Sequence, residues 1–280
     1  MQPRLEAKIE SLGSSVFAGG QRTGRLPGTA KFAEPSLGKG VLMPTQEKQL
    51  DPALLDAVDV FGNLDPAGKD EALAAAHWRK LETGERAFEQ DQEADAFYVL
   101  SAGRLKVTQV TPEGQEIIIR YIGPKEMFGC VAVCGGLTYP GTATAVTDSW
   151  ALGWTRATIG ELAQTYPGIA LNAMRTMGGR LQDTQSRLRE MQTERVERRI
   201  AHGIARLVAQ AGRRVEGGIL IDFPVSRQDI AELTGTTLHT VSRTLSAWQE
   251  RGVVELGRQK LTVRDPHALV VIAEDLPLKE

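Results

Sequence analysis

The stretch SRQDIAELTGTTLHTVSRTLSAWQ, residues 226–249, carries the local signals of two short helices joined by a tight turn. Ser226 and Asp229, three residues apart, form a capping box, which starts a helix by satisfying free backbone N–H groups. Gly235 ends that helix, because glycine readily adopts the left-handed conformation of a helix C-cap. The sequence therefore predicts a helix, a glycine turn and a second helix.

The second helix is predicted to begin at Thr236 or Thr237 and to have two unlike faces. Its apolar residues recur at helical spacing and are expected to be buried; they are Leu238, Val241, Leu245 and Trp248. Its polar face consists of His239, Ser242, Arg243 and Ser246.

The segment GVVELGRQKLTVRDP, residues 252–266, predicts a two-stranded hairpin with Arg258 and Lys260 at its tip. Two helices joined by a glycine turn and followed by such a wing form a winged helix-turn-helix. The polar face then suits a DNA major groove, where Arg bonds both acceptors of guanine and Ser reaches either base edge. The alternative is a helical hairpin with a solvated polar face, but capping box, turn, spacing and wing all agree on the first interpretation.

Charge is unevenly distributed along the 280 residues, whose formal net charge is -2. Residues 174–264 hold sixteen Lys and Arg against ten Asp and Glu, whereas residues 51–165 hold nine against seventeen. The C-terminal part is therefore suited to a polyanion, although a solvated basic surface would look the same. The chain lacks a long apolar run and an apolar leader, which predicts a cytoplasmic protein with no membrane partner.

The N-terminal half divides into a tail and a β-rich part. Residues 1–50 are rich in Gly, Pro and Ser and are predicted to be disordered. Residues 51–166 begin with short helices and continue with strand-like runs, in which Gly103, Gly114 and Gly123 mark predicted turns. The predicted fold class is α+β: an antiparallel β-roll, then a long helix, then a winged helix-turn-helix domain at 199–280.

The long helix is predicted over residues 167–198 and carries an apolar seam at heptad spacing. Such a seam favours a parallel homodimer, while the alternative is a helix lying on its own sheet. The seam continues to Arg195, and its residues at the predicted dimer interface are Met174, Met177, Leu181, Thr184, Leu188 and Met191.

The chain resembles the CRP/FNR transcription regulators over about residues 55–275, through the β-roll with EMFG, the long helix and SRQDIAELTGTTLHTVSRTL. The resemblance implies a homodimer that reads a palindromic site in double-stranded DNA and works with RNA polymerase. It also implies that Ser242 and Arg243 read bases. His239 is implied as a third reading position, where many members have Glu. Arg227, Thr237 and Thr240 are implied to contact phosphates. Ser246 and Lys260 join the predicted DNA-binding set from the polar face and the wing.

The effector is not predicted to be a cyclic nucleotide. Cyclic-AMP-binding relatives hold the ribose with a Gly-Glu pair and the phosphate with an Arg-Ser pair. Here the first pair is Gly129-Cys130, and TYPGTATAV, residues 138–146, contains no Arg. An iron–sulfur cluster needs four thiolates, and the chain has two cysteines. The predicted effector pocket contains Gly129, Cys130, Thr142 and Thr184.

Three kinds of effector remain open: haem with nitric oxide, a redox-active thiol pair, or another small ligand. Haem is suggested by a resemblance to the family's nitric-oxide-responsive denitrification regulators, which also lack the nucleotide-binding and cluster-binding residues. His77 and Cys130 are candidate haem ligands, although His77 is more often a surface or packing residue. Cys130 and Cys134 are candidate redox thiols, with two buried structural thiols as the commoner case. A cupin-like metalloenzyme is the alternative class, but His77 is the only histidine between residues 51 and 165. We therefore expect no enzyme.

Overall fold

The computed structural model describes residues 53–276, so the predicted disorder of residues 1–50 lies outside the described part of the chain. Short helices come first, as predicted: α1 (Ala53–Asp56), a 3-10 helix (Asp59–Phe61) and α2 (Pro66–Ala74). Helix α2 is capped by Asp65, whose carboxylate accepts from the backbone N–H of Gly68. None of the described helices is long and apolar enough to cross a membrane.

A six-stranded antiparallel sheet follows and confirms the predicted β-roll. The strands are β1 (His77–Leu81), β2 (Arg86–Phe88), β3 (Ala96–Val110), β4 (Glu116–Ile122), β5 (Met127–Phe128) and β6 (Thr142–Thr155). The two long strands, β3 and β6, pair along most of their length, and the path through the sheet is β1-β6-β3-β4, with β2 against β6 and β5 against β3.

Gly103 does not form the turn predicted for it. It lies inside β3, at a bulge where the register with β6 shifts, and its φ is +93°. A Cβ at this position would stand 2.2 Å from the Ser149 hydroxyl oxygen, so the bulge brings two backbones too close for any side chain. Gly114 and Gly123 do lie in turns, because Gly114 N–H donates to Thr111 and Gly123 carbonyl accepts from Glu126.

The interior of the roll is filled by aromatic rings. Phe88 and Tyr139 stack with their centroids 3.7 Å apart, and Tyr98 stacks on Phe128 at 5.0 Å. Tyr139 is fully buried, and its hydroxyl both accepts from the backbone N–H and donates to the carbonyl of Ala96. Burial raises the pKa of this phenol, so it stays neutral at any physiological pH.

The predicted long helix is interrupted. After α3 (Arg156–Thr165), α4 spans Gly168–Thr193, and Glu194 and Arg195 are extended before α5 (Val196–Ala211) begins. The predicted helix end at 198 therefore falls inside α5, and Arg195 is outside the seam helix. Both α4 and α5 have helix-forming sequences, so the heptad spacing alone could not locate the break.

The C-terminal part is a winged helix-turn-helix with one more hairpin than predicted. Strands β7 (Gly212–Val215) and β8 (Gly218–Ile221) form that hairpin, and the antiparallel sheet has the order β7-β8-β10-β9. The remaining elements are α6 (Arg227–Thr234), α7 (Leu238–Glu250), β9 (Val254–Gly257), β10 (Lys260–Val263) and α8 (Pro266–Glu274).

Candidate nucleic-acid interface and sensor domain

Helix α6 starts and ends as the sequence predicts. The Ser226 hydroxyl accepts from Asp229 N–H at 3.0 Å, and the Asp229 carboxylate accepts from Ser226 N–H at 2.8 Å, which completes the capping box. Gly235 follows the helix with φ +61°, the left-handed conformation expected of a C-cap. The turn therefore holds α6 and α7 in a fixed relation.

Helix α7 is anchored by one apolar side. Val241, Leu245 and Trp248 are fully buried, and the Trp248 indole N–H donates to the Glu197 carboxylate at 2.9 Å. Leu238, by contrast, was predicted to be buried but is 47% exposed. It is the first residue of the helix, where fewer neighbours can cover a side chain.

The polar face of α7 is open to solvent. His239, Arg243 and Ser246 are exposed, and Ser242 is half-buried. The wing forms as predicted between β9 and β10, with Arg258 and Lys260 exposed at its tip. This surface presents hydrogen-bond donors and positive charge on a single helix face beside a hairpin.

Three residues that the resemblance assigned to phosphate contacts lie at helix N-termini. Arg227 is the first residue of α6 and is exposed. Thr237 caps α7, and its hydroxyl is 2.9 Å from that of Thr240 while accepting from Thr240 N–H. A helix N-terminus carries free N–H groups and a positive dipole end, which suits a phosphate.

The winged helix-turn-helix domain also contacts the β-roll, which the sequence did not predict. The rings of Tyr121 on β4 and Phe223 before α6 are 4.7 Å apart, and the Arg104 guanidinium lies 4.9 Å from the Phe223 ring. Lys106 Nζ is 3.7 Å from the Asp229 carboxylate. The capping-box acid of α6 is therefore also an ion-pair partner of a sensor strand.

A second connection runs from α5 to the helix-turn-helix. Arg199 donates to the carbonyls of Thr234 and Gly235 at 3.3 Å, and also towards that of Glu194 at the break before α5. Gly203 lets α5 approach α6, since a Cβ there would meet the Thr234 methyl at 2.7 Å. These contacts join α5 to the turn between α6 and α7.

The four predicted effector-pocket residues lie at different places. Gly129 has φ +66° and packs against the Tyr98 and Tyr139 rings. Cys130 is buried, and its sulfur accepts from Arg180 on α4 at 3.0 Å. Thr142 accepts from Gln90 N–H, and the exposed Thr184 donates to its own helix backbone.

A cleft of about 350 Å³ opens nearby, between the first 3-10 helix, the β4–β5 turn and α4, and none of those four residues lines it. Burial, followed by the charge of nearby Arg180, lowers the pKa of Arg120 in this cleft to about 10. The charged residues in its wall are three of each sign: Asp59, Arg120, Lys125, Glu126, Arg180 and Asp183.

The two cysteines differ in environment. Cys134 is exposed, contrary to the expectation of two buried thiols, and its thiol lies 3.1 Å from the Met177 sulfur. Burial and the neighbouring Cys130 raise the pKa of the Cys134 thiol. Met177, a predicted seam residue, is half-buried and contacts this thiol.

His77 is exposed at the start of β1 and lies edge-on to the Tyr98 ring at 6.4 Å. Within the described residues, no group of three or more His, Cys, Asp or Glu is arranged to hold a metal ion. The cupin-like alternative therefore gains no support.

A β-roll joined by a long helix to a winged helix-turn-helix defines a DNA-binding regulator with a sensory domain. The cyclic nucleotide-binding domain model matches residues 78–166, and the Crp-like helix-turn-helix domain model matches residues 198–272. The chain belongs to the CRP/FNR family, which consists of transcription regulators rather than enzymes.

Individual relatives agree with this assignment. The cyclic AMP receptor protein of Thermus thermophilus is 29% identical over 214 residues, 76% of this chain and 96% of that protein. The CRP-like cAMP-activated global transcriptional regulator of Mycobacterium tuberculosis is 24% identical over 186 residues, 66% of this chain and 83% of that protein. The structure of FixK2 from Bradyrhizobium japonicum shares the fold with a TM-score of 0.63 at 21% identity, covering 70% of this chain and 96% of that one.

Proposed function

We propose that this DNA-binding transcription regulator is an effector-gated homodimer that reads a palindromic site in the cytoplasm and acts with RNA polymerase. The observation that carries the proposal is the open polar face of α7 opposite its buried apolar side. In this proposal Arg243, Ser242 and His239 read base edges, while Ser246 and the wing residue Lys260 add contacts along the groove.

An uncovered apolar stripe on α4 supports the dimer. Met174, Leu181, Leu188 and Met191 are each more than half exposed, at 58%, 59%, 55% and 53%. Thr184 is exposed on the same helix. Large apolar side chains left in water at heptad spacing favour a partner helix. A two-fold dimer would place its two reading helices in successive major grooves, about 34 Å apart.

The proposed effector is not a cyclic nucleotide. The roll interior is occupied by the stacked rings of Phe88 and Tyr139, and no cation stands in the TYPGTATAV segment to receive a phosphate. Haem does not fit the residues present either, because the candidate ligand His77 is exposed on β1 and the roll interior beside it is filled by the Tyr98 and Phe128 rings. The contacts of Tyr121 and Lys106 with the DNA-binding domain give any effector a route to α6.

The test begins by selecting duplexes from a random library with the purified chain. We expect an inverted repeat, bound by a dimer, and no change in affinity when cyclic AMP or cyclic GMP is added. Calorimetry with each nucleotide measures binding directly. Micromolar binding of either nucleotide would refute the effector part, and selection of a single half-site by a monomer would refute the palindrome.

A further inference from the structure

Three sulfur-bearing side chains, Cys130, Cys134 and Met177, lie where the segment after β5 contacts α4. Cys134 N–H donates to the Cys130 carbonyl at 3.2 Å, so the two cysteines stand one helical turn apart. The Cys134 thiol donates to the Met177 sulfur at 3.1 Å, and the Cys130 sulfur accepts from Arg180 at 3.0 Å. Met177 and Arg180 are three residues apart on α4 and share a face. Both cysteine sulfurs are therefore directed at one strip of the same helix.

The spacing of the cysteines favours a shared ion over a disulfide. Residues four apart in helical geometry have Cβ atoms about 5–6 Å apart. A disulfide requires a Cβ separation of about 3.5–4.5 Å, so the backbone would have to move. A metal ion bridges a wider gap, since each metal–sulfur bond is about 2.3 Å long.

The ligand types select the ion. Thiolate and thioether sulfurs are soft ligands, which select copper(I). Structural zinc sites take four ligands, usually Cys and His. Within the described residues, no group of three or more His, Cys, Asp or Glu side chains could hold a metal ion, so zinc lacks its ligand set here. Arg180, beside Cys130, offsets the single negative charge that two thiolates and one monovalent ion leave. The exposure of Cys134 gives the ion a way in.

We propose that Cys130, Cys134 and Met177 bind one copper(I) ion per chain. Binding replaces the two thiol protons with the metal, so two protons are released and no electron is transferred. The bound ion joins the turn after β5 to α4. Copper occupancy would change DNA binding through α4, and this second step rests on the proposed function. Copper binding itself does not depend on the proposed function.

The experiment uses the full-length, reduced chain under anaerobic conditions. Copper(I), supplied as its acetonitrile complex, is titrated against a coloured copper(I) chelator while thiolate-to-copper charge-transfer absorption is followed in the ultraviolet. The parent is expected to withhold one copper ion per chain. Cys130→Ser and Cys134→Ser should each abolish this, and Met177→Leu should weaken it by on the order of tenfold or more. Met174→Leu, which changes a methionine on the exposed side of α4, should bind copper like the parent.

Circular dichroism melts establish that each variant is folded. The proposal is overturned if the parent yields its copper to the chelator as readily as the folded Cys130→Ser/Cys134→Ser variant, or if zinc(II) binds at this pair while copper(I) does not. DNA titrations on the same samples separate the two levels. If copper binds but DNA binding does not change, only the proposed transmission through α4 is refuted. If copper binds to a chain that never binds DNA, only the proposed function is refuted.

Discussion

Arg243→Ala tests whether α7 reads bases. Helical residues advance by about 100° each, so His239, Ser242, Arg243 and Ser246 fall within an arc of roughly 100°. Buried Val241, Leu245 and Trp248 lie on the other side of the helix. Arg243 is exposed, so truncation to Ala leaves the core of the domain intact. Any loss of binding then reports on the DNA contact.

The expected loss follows from this geometry. His239 and Ser246 are about 10 Å apart along the helix axis, which corresponds to about three base pairs. Arg243 lies between them, where its fork can bond both acceptors of one guanine. That contact is worth about 1–3 kcal/mol in each half-site. A dimer loses it twice, so the specific affinity should fall between about 30-fold and about 10⁴-fold.

Fluorescence anisotropy titrations with the selected duplex and a scrambled one provide the measurement. Arg251→Ala is the matched control, because Arg251 is an exposed arginine just past the other end of α7. The control should bind the selected duplex nearly as the parent does. Equal losses on both duplexes for Arg243→Ala would refute base reading and reduce Arg243 to a phosphate contact.

Three further predictions address assembly and stability. Leu181→Asp should convert the dimer to a monomer in analytical ultracentrifugation, because it places two carboxylates against each other in an apolar seam. The control Gln182→Asp should remain dimeric. An intact Leu181→Asp dimer would contradict the proposed seam. Ser226→Ala should lower the free energy of unfolding in urea by about 1 kcal/mol, since it removes the hydroxyl that caps α6 through Asp229, and an unchanged midpoint would count against the capping box. Burial raises the pKa of the Glu232 carboxyl above the value that a Glu side chain has in the unfolded chain. The free energy of unfolding therefore falls as pH rises from the unfolded-state pKa through the folded-state pKa. Glu232→Gln removes this titration and should flatten that fall, whereas parallel pH profiles of parent and variant would exclude this role of Glu232.

The DNA-binding domain was predictable because its signals are local. Ser226, Asp229 and Gly235 define a helix and its end within ten residues of sequence, and no distant contact is needed to interpret them. The wing likewise forms from adjacent strands. Leu238 was wrongly predicted to be buried, because spacing places a residue on a helix face but does not show how far neighbours extend along that face.

Features that depend on distant parts of the chain could not be predicted. Gly103 resembled a turn residue, but its conformation is set by the close approach of Ser149, about 45 residues later. The predicted effector-pocket residues follow from the resemblance to cyclic-nucleotide binders. In this chain, packing of Tyr139 on Phe88 fills the interior, which no local pattern encodes. The break at Glu194 and Arg195 is similarly invisible to heptad spacing.

The contacts between sensor and DNA-binding domain have an energy that an effector can overcome. The Tyr121–Phe223 ring pair is worth about 0.5–1.5 kcal/mol. The Arg104 guanidinium over Phe223 adds about 0.5–2 kcal/mol. Lys106 and Asp229 at 3.7 Å are partly exposed and add about 0.2–1 kcal/mol. These three contacts together contribute roughly 1–4.5 kcal/mol, a range that includes the coupling of about 1–3 kcal/mol typical between allosteric sites. Because these contacts hold α6 and the residue Phe223 before it, a ligand that favours their loss would free α6 together with α7, the proposed reading helix, without unfolding either domain.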